Sequence, residues 1–162
     1  MNVQEIYDRY GEKMFGYLIM KLGSRHDAED VFQEVFLRLA RHHSLRGRLV
    51  RNQAAYVLRA AHNEANRFLE SRVRDRAGKP GVQDVREAIR GALSGPSFEE
   101  EDLAAKALAQ IPAEQREVIG LKIFEGLTFK EIAAVCRVPQ YTAASRYRNG
   151  IEKLRAILEE SR

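Results

Sequence analysis

Apolar residues recur every three or four positions along most of the chain, and this spacing predicts α-helices. The first such segment covers 3–21, and Gly23 with Ser24 should end its helix. Further helices are predicted over 26–41, 54–72 and 103–158, the last interrupted at Pro112, Gly126 and Pro139. Because no segment gives a clear strand signal, the sequence predicts an all-α protein.

The periodicity weakens between Arg74 and Glu101, where glycine and proline accumulate. This composition is typical of a linker, although a short helix around Val85–Leu93 is predicted within it. The sequence therefore predicts two small helical domains, 1–76 and 102–162, joined by a flexible linker over 77–101. The second domain should contain a helix-turn-helix.

The predicted helix over 27–41 has an unusual outer face. Its buried stripe should hold Ala28, Val31, Phe32, Val35 and Leu39, with Phe36 at the edge. The opposite face carries Asp30, Gln33, Glu34 and Arg41, with Leu37 among them. A single exposed leucine is common, but one surrounded by carboxylates and an amide indicates a contact with a partner helix.

The acidic residues of this helix also raise the possibility of a metal site. The candidate ligands are Asp27, Glu29, Asp30 and Glu34. No histidine joins them on the same face, and acidic residues in a first helical turn are explained by the helix dipole. We therefore expect no metal there.

The helix predicted over 54–72 should bury Val57, Leu58, Ala61, Ala65, Phe68 and Leu69. Its other side carries Tyr56, Arg59, Asn63, Asn66, Arg67 and Glu70. An aromatic ring among arginine and asparagine is typical of single-stranded nucleic-acid binding, whereas Tyr56 could instead cap the core. The arginine-rich stretch that precedes the helix, with Arg46, Arg48 and Arg51, favours the nucleic-acid interpretation.

Residues 128–149 predict a helix-turn-helix. Thr128 and Glu131 have the spacing of a capping box, and Pro139 suits the start of the second helix. One side of that helix carries Ala143, Ala144, Tyr147, Ile151 and Leu154. The other carries Tyr141, Thr142, Ser145, Arg146, Arg148, Asn149 and Lys153. These donor-rich, basic side chains suit a DNA major groove, whereas the alternative is an ordinary amphipathic hairpin.

Composition narrows the class of protein further. The 162 residues carry a net charge of +4 and a single cysteine, Cys136, which is expected to fill the core. The sequence pI of about 9.3 permits a polyanionic partner. No signal peptide, membrane span or disulfide framework is predicted, so a cytoplasmic location is expected. The four histidines show no metal-ligand spacing, and no catalytic or cofactor motif is visible.

These segments, in this order, resemble the extracytoplasmic-function group of bacterial sigma factors. The matching motifs are Asp27-Ala-Glu-Asp-Val-Phe-Gln-Glu-Val-Phe-Leu-Arg-Leu, Tyr56-Val-Leu-Arg-Ala-Ala-His-Asn, Leu108-Ala-Gln-Ile-Pro-Ala-Glu-Gln-Arg-Glu-Val, Phe124-Glu-Gly-Leu-Thr-Phe-Lys-Glu-Ile-Ala and Thr142-Ala-Ala-Ser-Arg. The resemblance implies a transcription initiation factor without enzymatic activity. Its implied partners are core RNA polymerase, promoter DNA and an anti-sigma factor.

The resemblance also implies roles for particular residues. Polymerase docking falls on Asp30, Gln33, Glu34, Leu37 and Arg41. Recognition and melting of the minus-ten element fall on Arg46, Arg48, Arg51, Tyr56, Arg59, Asn63 and Arg67. Recognition of the minus-thirty-five duplex falls on Tyr141, Thr142, Ser145, Arg146, Arg148 and Asn149.

The chain departs from the family pattern at several positions. Ala40 stands where an aromatic residue is usual, and Tyr56 where tryptophan is common. Glu64 and Asn66 replace apolar residues and Arg67 replaces an acid, which gives the melting helix an unusual polarity. Arg137 occupies a turn position where glycine is frequent, and a left-handed backbone there would cost roughly 1 kcal/mol.

A dimeric helix-turn-helix repressor or activator is the alternative function. It would bind duplex DNA through residues 103–160 and use residues 1–75 for dimerisation or effector sensing. Leu37 and Tyr56 discriminate between the two, because a dimerisation domain does not need an exposed base-stacking face. A small helical enzyme is disfavoured, because no nucleophile with a plausible base is visible.

Overall fold

The computed structural model describes residues 3–41, 53–72, 81–93 and 95–161. Over these ranges the chain forms eight α-helices and no strand, which confirms the predicted all-α class. The helices are α1 (Val3–Leu22), α2 (Arg25–Arg41), α3 (Gln53–Arg72), α4 (Val82–Ala92), α5 (Phe98–Gln110), α6 (Ala113–Ile119), α7 (Phe129–Cys136) and α8 (Gln140–Glu160). A π-helical turn, Gly120–Phe124, continues α6.

Helix α1 lies at the centre of the N-terminal half and packs against α2, α3 and α4. The core side of α2 follows the predicted stripe, since Ala28, Val31, Val35 and Leu39 are buried and Phe32 and Phe36 are half-buried. An aromatic group covers the edge of this stripe. The ring centroids of Tyr7 and Phe36 lie 5.5 Å apart, and those of Phe32 and Phe36 lie 4.8 Å apart.

The segment predicted as a linker contains two helical pieces. Residues 82–92 form α4, the short helix expected near Val85–Leu93, and α4 packs on both α1 and α5. Helix α5 begins at Phe98, a few residues earlier than its periodicity indicates. Ser97 and Glu100 form a capping box there, since the Ser97 hydroxyl accepts from the Glu100 amide at 3.2 Å. That Ser-x-x-Glu spacing is a sequence signal for the helix start.

The two halves of the chain pack against each other. Helix α1 contacts α6, and α3 contacts α7, so the buried apolar residues form one continuous cluster from Ile6 to Ala143. We call the boundary between α1 and α3 on one side and α6 and α7 on the other the seam. None of the helices in the described ranges is long and apolar enough to cross a membrane.

Candidate functional site

The outer face of α2 presents an apolar side chain within a polar surface. Leu37 is 51% exposed, while Gln33 beside it is exposed and Glu34 is half-buried. Asp30 and Arg41 are also exposed on this helix. The structure therefore brings the five residues predicted for docking together on one helical face, with Leu37 at its centre.

The predicted nucleic-acid face of α3 is only partly open. Arg59 and Arg67 are exposed, whereas Asn63 is half-buried and Tyr56 is half-buried with its ring packed against the core. Spacings of three and four residues place these four side chains on one side of the helix. The other predicted members of the set, Arg46, Arg48 and Arg51, lie outside the described residues.

The unusual polarity of α3 has a structural explanation. Glu64 is buried to 8% exposure, and its carboxylate pairs with Arg38 of α2 at 2.6 Å and with Arg67 at 3.5 Å. A carboxylate in this position joins the two helices that carry the predicted docking and melting faces. It also draws Arg67 toward α2, so the departures at Glu64 and Arg67 compensate each other.

The helix-turn-helix forms as predicted. The Thr128 hydroxyl accepts from the Glu131 amide at 3.1 Å, and the Glu131 carboxylate accepts from the Thr128 amide at 2.9 Å. Arg137 ends α7 in the left-handed conformation, with φ of 57°. Ala143 is fully buried where α8 packs on the rest of the motif.

A close contact that the sequence analysis missed fixes the middle of α8. Gly150 is buried, and a Cβ atom there would lie 2.7 Å from Cδ1 of Ile119. A side chain at this position would force the Ile119 side chain to move, so glycine favours the close approach of α8 to α6. The signal in the sequence is a glycine inside an otherwise strong helical pattern.

The N-terminal part of α8 presents the predicted reading side chains to solvent. Tyr141 is 75% exposed, and Arg148 and Asn149 are exposed. Thr142, Ser145 and Arg146 are half-buried, and the guanidinium of Arg146 lies 3.7 Å from the Glu114 carboxylate. An ion pair of this length with the exposed Glu114 contributes little stability, so Arg146 remains available to a ligand.

A cluster of polar side chains is buried at the seam, and the sequence analysis did not predict it. Oε1 of Glu117 accepts hydrogen bonds from the Tyr17 hydroxyl at 3.1 Å and the Cys136 thiol at 3.1 Å, and lies 2.8 Å from Nδ1 of His62. Oε2 of Glu117 pairs with the Lys21 ammonium. We call these five residues the Glu117 cluster.

The cluster shifts the ionisation of its members. Burial by itself raises the pKa of the Glu117 carboxyl, but the His62 hydrogen bond and the Lys21 charge outweigh burial and lower this pKa to about 2. Burial, together with the Glu117 charge, raises the pKa of the Cys136 thiol well above its usual range. The thiol is therefore protonated and the carboxylate ionised at neutral pH.

Comparison with known protein families shows which family the chain belongs to. Residues 6–75 match the family described as Sigma-70 region 2, and residues 107–156 match Sigma-70, region 4. The chain belongs to the extracytoplasmic-function sigma factors of the sigma-70 family. The resemblance seen in the sequence is thus confirmed, and the protein directs promoter-specific transcription initiation.

Individual sigma factors align with this protein over nearly its whole length. The ECF RNA polymerase sigma factor SigL of Mycobacterium tuberculosis is 28% identical and is aligned over 98% of this chain and 89% of its own length. The ECF RNA polymerase sigma factor SigW of Bacillus subtilis is 27% identical, and its alignment covers 96% of this chain and 88% of its own length. The sigma factor RpoE of Bartonella quintana, solved in complex with the anti-sigma factor NepR, has a TM-score of 0.74 at 23% identity. The structural alignment covers 98% of this chain and 97% of the RpoE chain. It shows that the two proteins have a similar fold.

Proposed function

We propose that this sigma factor divides its work between its two halves, which act as domains over about 1–76 and 102–162. The outer face of α2 docks on core RNA polymerase, α3 with the preceding arginine-rich stretch recognises and melts the minus-ten element, and α8 reads the minus-thirty-five duplex. The observation that carries this assignment is the exposure of Leu37 and of the N-terminal part of α8 on separate surfaces.

The closed arrangement of the halves does not reach both promoter elements at once. A folded chain of 162 residues has a radius of gyration of about 15 Å. The minus-thirty-five and minus-ten elements are named for positions about 25 base pairs apart, which is roughly 85 Å along B-DNA at about 3.4 Å per base pair. The proposal therefore requires the halves to separate across the seam when both elements are bound.

Further parts of the proposal follow from the class of protein. It acts in the cytoplasm, where its DNA lies, and it has no catalytic activity of its own. An anti-sigma factor is a proposed partner, because the structurally similar RpoE is found with NepR. The dimeric repressor remains the alternative, and a monomer that binds core polymerase would exclude it.

The docking assignment is tested with Leu37→Asp combined with Gln33→Ala. Both side chains are exposed, so the free energy of unfolding should change little, whereas affinity for core polymerase should fall because the apolar anchor is lost. Leu103→Asp on α5 is the matched control, because Leu103 is 45% exposed and lies outside the predicted face. Equal polymerase affinity of the double variant and wild type would contradict the assignment.

The melting assignment is tested with Asn63→Ala. We expect this variant to bind polymerase and the minus-thirty-five duplex normally but to form fewer open complexes on intact promoter. A base stacked on an aromatic ring gains about 1–3 kcal/mol, which is comparable to the cost of flipping it. Because these two energies nearly balance, losing the contact of Asn63 with the edge of the flipped base should measurably reduce opening. A promoter with a premelted bubble should restore transcription. Normal open-complex formation by the variant on intact duplex would show that this face is only a solvated surface.

A further inference from the structure

The Glu117 cluster holds three kinds of metal ligand at one point. His62 Nδ1, a Glu117 carboxylate oxygen and Cys136 Sγ all lie within 4.8 Å of one another, and each of these side chains is more than nine-tenths buried. It is the only such group of three found in the part of the chain that the structure describes. The residues come from α3, α6 and α7, so no spacing motif in the sequence marks them.

We propose that His62, Glu117 and Cys136 form a zinc-binding site at the seam. Imidazole nitrogen, thiolate sulfur and carboxylate oxygen together form a ligand set that zinc accepts, with bond lengths of about 2.0–2.3 Å. Ligand atoms of a tetrahedral site with such bonds lie roughly 3.3–3.6 Å apart. Glu117 Oε1 already lies 2.8 Å from His62 Nδ1 and 3.1 Å from Cys136 Sγ. These two distances must lengthen by a few tenths of an ångström, and the His62–Cys136 pair, which lies within 4.8 Å, must settle at a similar spacing around the ion.

The crowding of polar groups around one carboxylate oxygen of Glu117 supports the same inference. Three polar groups converge on Oε1, the Tyr17 hydroxyl, His62 Nδ1 and the Cys136 thiol, although a carboxylate oxygen has two lone pairs. When zinc binds, the thiol releases its proton to solvent and the imidazole proton moves from Nδ1 to Nε2. The Tyr17 hydroxyl oxygen lies 3.2 Å from His62 Nδ1 and 3.1 Å from Glu117 Oε1, beside the three ligands.

Groups that would orient the ligands are already in place. His62 Nε2 lies 3.0 Å from the Asn66 side-chain amide. Because the nitrogen and oxygen of an amide exchange by a simple flip, Asn66 can accept the proton that Nε2 carries when Nδ1 binds the metal. Lys21 holds Oε2 of Glu117, which leaves Oε1 as a single ligand atom. Its positive charge also opposes the ion, so this lysine should limit the affinity.

The test uses the full-length, reduced protein stripped of metal with a chelator, and titrates it with Co²⁺ as a spectroscopic probe for zinc. Cys136 is the only cysteine in the chain, so a thiolate-to-cobalt absorption band can arise only there. We expect a saturable band that zinc abolishes and that is absent in Cys136→Ser and His62→Gln. His26→Gln is the control and should retain the band, since this histidine is exposed on α2.

A second variant separates a metal site from a purely hydrogen-bonded cluster. Removing the neighbouring positive charge in Lys21→Gln should tighten cobalt binding by about tenfold or more. Zinc should also raise the Tm of wild type but not that of Cys136→Ser. Absence of the thiolate band in folded wild type would overturn the proposal. So would a band that survives in His62→Gln, or an affinity that does not change in Lys21→Gln.

Discussion

Helices α6 and α8 both carry charged residues, but in opposite environments. Glu117 of α6 is 5% exposed and both oxygens of its carboxylate have partners. Arg148 of α8 is exposed, and within the described ranges its guanidinium has one hydrogen bond, to the Ser145 hydroxyl at 3.4 Å. A buried charge is tolerated only with partners, so the α6 side chain sets the geometry of the seam. An exposed charge with few partners is free to bind a ligand, which suits a DNA-reading helix.

The face of α3 lies between these extremes. Arg59 is exposed, but Arg67 pairs with the buried Glu64, and Asn63 is half-buried. The comparison therefore separates the predicted reading surface of α8, whose Tyr141, Arg148 and Asn149 are exposed, from that of α3, which is partly occupied by contacts within the protein.

The largest expected effect concerns the Glu117 cluster. Glu117→Gln removes the charge that compensates Lys21 inside the protein, and breaking a buried ion pair costs about 3–5 kcal/mol of unfolding free energy. Urea denaturation measures this loss. Glu114→Gln on the same helix is the control, because the Glu114 side chain is 73% exposed, and its effect should stay within about 0.5 kcal/mol. Equal effects in the two variants would show that the seam does not depend on the Glu117 charge.

The same carboxylate predicts a dependence of stability on pH. Its pKa in the folded protein is about 2, below the ordinary value of 4.5. A lowered pKa stabilises the fold above the unfolded-state pKa, and this contribution is lost as pH falls from about 4.5 through about 2. Urea midpoints measured over this range should fall steeply in wild type and less in Glu117→Gln. Parallel curves for the two proteins would mean that other groups dominate acid unfolding.

A smaller effect is expected for the half-buried Arg146 in the N-terminal part of α8. Arg146→Ala should weaken binding to a minus-thirty-five duplex by about 1–3 kcal/mol if the guanidinium reads a guanine, and by less if it holds only phosphate. The unfolding free energy should hardly change. Arg155→Ala is the matched control, since Arg155 is exposed farther along the same helix. Binding titrations with matched and mutated duplexes distinguish the two roles, because a phosphate contact is lost equally on every sequence.

The smallest effect is expected at the turn that positions α8. Arg137 has a left-handed backbone, so Arg137→Gly should stabilise the protein by about 1 kcal/mol. Gly126→Ala is the converse control, because φ there is 70° and a side chain should destabilise. Thermal unfolding measures both changes. A destabilised Arg137→Gly would show that the arginine side chain contributes more than its backbone strain costs.

Local sequence signals predicted the helices and the outer faces of α2 and α8 well. The buried stripe of α2, the exposure of Leu37 and the Thr128 capping box depend on residues within one or two helical turns, and spacing alone reports them. The start of α5 was placed too late because its capping box lies in a stretch rich in glycine and proline. The roles of the predicted contact residues remain predictions.

The sequence by itself determined the helical class, the family and the residues on the side of each helix that faces away from the protein core. Only the tertiary structure decided that Glu117, His62 and Cys136 meet, and that Glu64 joins Arg38 to Arg67. Helical periodicity records which side of a helix is buried but not what it is buried against. Charges in a buried face therefore looked like departures from the pattern until their partners on other helices were known.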